Sequence, residues 1–152
     1  MRRRRGFSFV EAVVTVALIG LLARIAIPGY GEMKRRSIAA AIMGDVHAIR
    51  IATLTHYTET GSFPPDAASG QLPPQLMASL PKGFTFDRTD FDYDWHVWNV
   101  VNGSGDSETL VGITVIVSDP RLSAHLVSEA GSGYLPVVTP THVTFLVNST
   151  TD

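Results

Sequence analysis

"FSFVEAVVTVALIGLLARIAIPGY" fills positions 7–30. From Ala12 to Ala23 it carries no charge. A membrane-crossing helix needs about 20 predominantly apolar residues. Phe7–Tyr30 supplies that length if Glu11 and Arg24 are tolerated. At about 1.5 Å rise per residue the two charges stand ~20 Å apart, each toward an opposite face of a bilayer. Arg24 has a long stem that lets its head reach the interface. Glu11 has a shorter reach, and a buried carboxylate needs a paired, hydrogen-bonded charge.

On the N-terminal side stand Arg2, Arg3, Arg4 and Arg5. With Arg24, Lys34, Arg35 and Arg36 they make eight of the 12 basic residues. Residues 37–152 hold four basic and twelve acidic residues, a net charge of −8. The chain is therefore a basic, membrane-like end joined to an acidic soluble body. The arginine cluster predicts a cytoplasmic N-terminus and an extracytoplasmic body. Its 152 residues are one domain's worth of chain, and 45% of them are hydrophobic, enough for a core. There is no cysteine, which excludes disulfides and thiolate metal sites but not an extracytoplasmic location.

On the C-terminal side the helix is expected to continue. Ile38, Ile42, Val46, Ile49, Thr53 and Tyr57 recur at helical spacing, with Asp45, Arg50 and Thr55 falling elsewhere. Pro28 beside Gly29 predicts a kink or local break rather than an end. "TETGSFPPD" stops the helix, with Gly61 as its cap. Residues 64–83 read as an ordered loop with a short helix near "PPQLMASL". "DYDWHVWNVV" and "TLVGITVIV", joined by "NGSGDSE", read as a hairpin. "DPRLSAHLVSEAG" reads as a helix capped by Asp119, with Pro120 in its first turn and Gly131 at its end. "THVTFLV" is a last strand. The fold class is α+β: a long N-terminal helix, its first half transmembrane, packed on a small antiparallel sheet.

"GFSFVEAVVTVALIGLLARIAIPGY" resembles the prepilin-type N-terminal segment of type IV pilins and type II secretion pseudopilins. The resemblance is specific over residues 1–30 and weaker over residues 57–64, which include "GSFP". It implies a leader of residues 1–6, cut by a prepilin peptidase between Gly6 and Phe7, and N-methylation of Phe7. It implies an assembly helix over 7–30, with Glu11 as the assembly carboxylate and Gly20 and Pro28 as the helix-weakening pair. A soluble pilin-like domain over 31–152 follows. Cleavage would create an ammonium at Phe7, and by the family's logic Glu11 of a neighbouring subunit receives it. Such a head-to-tail contact generates a helical filament, and the charge sets register. One residue departs: the family usually has a small apolar residue where this chain has Arg24, which points to a minor, positional subunit.

Plainer readings stand beside these. An ordinary signal anchor or secretory signal would account for the apolar run but gives no reason for Glu11. Asp87, Asp90, Asp92 and Asp94 offer the oxygen ligands calcium takes, but without EF-hand spacing; a solvated acidic edge strand is the favoured reading. No cofactor is otherwise expected. His47, His56, His96, His125 and His142 lack metal-ligand spacing. No nucleophile motif appears, and no enzyme activity is expected. Trp95 and Trp98 fall on opposite strand faces, one toward the helix and one toward solvent or a partner. The −8 body argues against nucleic acid. Two functions remain: a filament subunit of a pilus or secretion pseudopilus, partnered by the membrane, the peptidase and other subunits, or a single-span anchored binding domain that does not polymerise.

Overall fold

Helix α1 runs Phe9–Thr60 in a computed structural model that describes residues 8–101, 103, 105–134 and 136–148, without the side chains at 26, 28 and 132. Its first turn closes with the Ala12 N–H donating to the Ser8 carbonyl at 3.1 Å. It passes through positions 20 and 28 without an interruption of helix, so neither glycine nor proline ends it. Proline removes one N–H from the ladder, and the turns on either side remain bonded. The chain divides into two units between Arg35 and Arg36.

Within the second unit, the later half of α1 presents one apolar stripe. Ala39, Ile42, Val46, Ile49 and Ala52 are fully buried, and so is Thr53. Thr53 is admitted because its hydroxyl donates to the Ile49 carbonyl four residues back, at 2.8 Å. The helix ends where Gly61 adopts φ +73° and donates its N–H to the Tyr57 carbonyl at 2.8 Å. A side chain rarely takes that left-handed conformation, which is why glycine marks the end. Phe63 then folds back to stack on Tyr57, ring centroids 4.4 Å apart.

The stripe packs on a four-stranded antiparallel sheet: β1 (Phe91–Val101), β2 (Ser107–Val117), β3 (Pro136–Val138) and β4 (His142–Leu146), in the order β1-β2-β4-β3. The expected hairpin is β1–β2, in register from Phe91 opposite Val117 to Val101 opposite Ser107. Alternation places Tyr93 and Trp95, Val111, Ile113 and Val115, and Val143 and Phe145 in the core. Helix α2 (Pro120–Ala130) adds Leu122 and Leu126 to the same core. Asp119 caps it by accepting from the Arg121 N–H at 3.0 Å. Strand β3 was not foreseen: three residues, begun by a proline, give no periodicity to read.

The loop between α1 and β1 is ordered by what it covers. Pro73 begins a short 3-10 turn, Pro74–Leu76, whose Leu76 is fully buried with Leu80 close by in the core. The same loop lies on the edge strand. The Trp95 indole Nε1 donates to the Pro64 carbonyl at 3.4 Å, and the Gly70 N–H donates to the Tyr93 carbonyl at 3.1 Å.

Two polar residues fall off the stripe, as helical spacing put them, and still meet the body. Asp45 flanks the stripe and faces the body, accepting from Arg88 Nη2 at 3.1 Å and from the Tyr93 hydroxyl at 2.9 Å. Arg50 lies over the Tyr134 ring, 5.1 Å from its centroid. Both stand next to stripe residues, and the body wraps far enough round the helix to meet them. Burial pushes the Tyr93 hydroxyl far above the usual phenol range. The Asp45 carboxylate pushes the same way, against a smaller opposing pull from Arg88.

Candidate functional site

The candidate site is the first half of α1, within the first unit. Its apolar side chains point outward all round. Phe9 is 83% exposed and Ile25 72%, with Val13, Val16, Leu18, Leu21 and Leu22 exposed between them. A helix apolar on every side cannot be a surface helix of a soluble body; it requires lipid or other apolar helices around it. By length and composition Gly29–Thr60 would also pass as a spanning segment, yet 33% of its most apolar window is buried. Ile42, Val46 and Ile49 there are core of the second unit. The earlier half is the better membrane segment, because its described apolar side chains are exposed on every side of the helix.

Glu11 lies in the first turn of this helix, exposed. A carboxylate there interacts favourably with the unpaired N–H groups of the helix start. Its backbone carbonyl accepts from the Thr15 hydroxyl at 2.7 Å, which hides a polar group in an apolar run. Its side chain has no partner among the described residues. Arg24 is exposed thirteen residues later. Gly20 has open space around the position where a Cβ would stand, so packing within the chain does not demand glycine there. The expected cleavage site, Gly6 and Phe7, lies outside the described residues. Just past the apolar run, Glu32 and Arg35 pair at 3.7 Å one turn apart.

The other candidate residues do not gather into a chemical centre. Asp92 Oδ1 accepts from the Arg88 N–H at 3.3 Å, and Asp87 forms a bridge to Asp92. Asp94 Oδ2 lies 3.1 Å from His96 Nε2, with Asp66 3.8 Å from the other ring nitrogen. Among the described residues no three histidine or acidic side chains are placed to hold a metal ion. Trp95 is fully buried, and Trp98, on the opposite face, stacks near His96 with centroids 5.2 Å apart. A groove of about 840 Å³ opens beside Leu54, Tyr57, Phe63 and Val97. Among the described residues its lining includes no histidine.

An outward-facing apolar helix with a carboxylate in its first turn, leading into a helix-on-sheet body, defines the class. Residues 1–26 match the prokaryotic N-terminal methylation motif. The chain is similar to type IV pilins and fimbrial proteins. It is 36% identical over 111 residues to a fimbrial protein of Pseudomonas aeruginosa, covering 73% of this chain and 61% of that one. It is 35% identical over 61 residues to the type IV major pilin protein PilA of Myxococcus xanthus, covering 40% and 28%. The chain thus spans about three fifths of the length of the fimbrial relative. The solved major type IV pilin PilA1 of Clostridium difficile aligns over 74% of this chain and 96% of its own, at 17% identity and a TM-score of 0.49.

Proposed function

We propose that this chain is a structural subunit of a type IV pilus or a related pseudopilus, held in the cytoplasmic membrane by residues 7–30 before assembly and entering the filament through them. The observation that carries this reading is the unpartnered Glu11 on an apolar helix exposed all round. The printed names of the relatives, fimbrial protein and major pilin, favour the pilus over the secretion pseudopilus. A prepilin peptidase cuts between Gly6 and Phe7 and methylates Phe7. The new ammonium pairs with Glu11 of a neighbouring subunit, with the N-terminus cytoplasmic and the acidic body outside. Arg24, a charge in the apolar stretch, fits a minor subunit occupying a defined position.

The experiment compares Glu11→Ala with wild type in membrane level, processing and sheared-filament recovery. The variant should insert, be processed and fold, because no described residue of the apolar run belongs to the body's core. It should be lost from the sheared fraction. A membrane-anchored binding domain that does not polymerise predicts no wild-type protein in that fraction, and equal recovery of both proteins removes the role given to Glu11.

A further inference from the structure

The apolar helix carries two side-chain charges of opposite sign. In residues 1–31 Glu11 is the one acid, and beyond the arginines at 2–5 Arg24 is the one base. Both side chains are exposed, and neither has a side-chain partner among the described residues. They cannot meet within one chain. Thirteen residues place them ~20 Å apart along the helix axis and ~140° apart around it. Around both, the surface is apolar and outward-facing: Val10 is 68% exposed and Leu22 66%.

Such a surface is complementary to a copy of itself. A parallel neighbour shifted by thirteen residues brings Arg24 of one helix level with Glu11 of the next, and apolar flanks meet on either side of the pair. A parallel arrangement is the one that a common direction of membrane insertion imposes. The guanidinium suits the role, since its planar fork matches a carboxylate with two parallel hydrogen bonds. Because the two charges project from different sides, a helix whose Glu11 is engaged by one neighbour still offers Arg24 to another. That contact is head-to-tail and does not close, so it propagates. A carboxylate has about four lone-pair sites, so it can accept a guanidinium and an ammonium together.

We propose that Glu11 of one copy pairs with Arg24 of a second copy, displaced ~20 Å along parallel helices, and that Arg24 is thereby a register-determining assembly residue. This rests on the assembly reading above, but it is tested separately. The chain has no cysteine, so introduced cysteines report only their own pairing. Ser8 and Leu21 each precede one of the charges by three residues and so share its side of the helix. Oxidising whole cells that express and assemble the full chain with Ser8→Cys and Leu21→Cys should give a ladder of covalent oligomers, whereas either single variant should stop at dimers. Adding Arg24→Leu should reduce the ladder at least tenfold with membrane level unchanged, and Arg24→Lys should keep most of it. The proposal is overturned by a ladder that survives Arg24→Leu, by no ladder at all, or by 8-to-8 dimers outnumbering mixed pairs. Sheared-filament recovery of wild type is scored in parallel. Its absence would count against the filament and leave the ladder result to decide the pairing, while full recovery of Arg24→Leu would count against the pairing alone.

Discussion

Trp98 of β1 lies on the backbone of Gly112 in β2: a Cβ built at Gly112 would stand 2.8 Å from Trp98 Cζ3 and 3.0 Å from its Cη2. It would also meet Thr144 Cγ2 of β4 at 3.2 Å. Glycine inside a strand usually marks such a close approach. Gly112→Ala should destabilise the body by about 1–3 kcal/mol through overpacking. Thermal melts of the single variant, of Trp98→Ala and of the pair give a double-mutant cycle. The cost of Gly112→Ala should shrink when Trp98 is already gone, and a purely additive cycle would refute the contact as its cause.

Tyr93 and Asp45 tie the later half of α1 to β1, and the tie should be sensitive to alkali. The folded phenol holds its proton far beyond the usual range, while an unfolded tyrosine releases it near pH 10. Above that pH the unfolded state binds fewer protons than the native one, so stability falls as pH rises. The slope from this group is about 1.4 kcal/mol per pH unit. Below pH 10 the contribution is fully present. Tyr93→Phe should cost about 1.5–3 kcal/mol at neutral pH, through loss of the bond to the charged Asp45. It should also flatten the alkaline limb in denaturant titrations run from pH 8 to 11.

Processing should occur between Gly6 and Phe7. Intact mass of the membrane-extracted protein should show loss of residues 1–6 and gain of one methyl group. A mature chain beginning at Met1, or beyond residue 26, would remove the basis for the Phe7–Glu11 pairing.

The stretch from Gly20 to Pro28 should be the least protected part of α1 although it is helical. Glycine lowers helix propensity by about 1 kcal/mol relative to alanine, and proline leaves one carbonyl of the preceding turn without its donor. Amide exchange in detergent should show faster exchange there than in residues 38–53, where the stripe is buried. Uniform protection from residue 12 to residue 45 would contradict this.

Much of this was legible in the chain. Apolar spacing at Ile42, Val46 and Ile49 located the buried stripe, because a helix repeats its faces by geometry alone. Asp119, Pro120 and Gly131 bounded α2, because caps act within one turn. Gly61 marked the end of α1 for the same reason. The Glu11 anomaly was a sequence fact before it was a structural one, since the lack of any other acid in residues 1–31 needs no coordinates. The tertiary structure alone decided the rest. Helical spacing placed Asp45 off the apolar stripe, but only the fold brings Arg88 and Tyr93, more than forty positions away, beside it. Strand β3 exists only because β4 offers it an edge, pairing Val137 with Thr144. Gly112 is required only because Trp98 is above it. Local order follows from neighbours a few residues apart, which the sequence places in advance. Ion pairs, edge pairings and close approaches depend on distant segments meeting, and only the folded chain fixes which ones do.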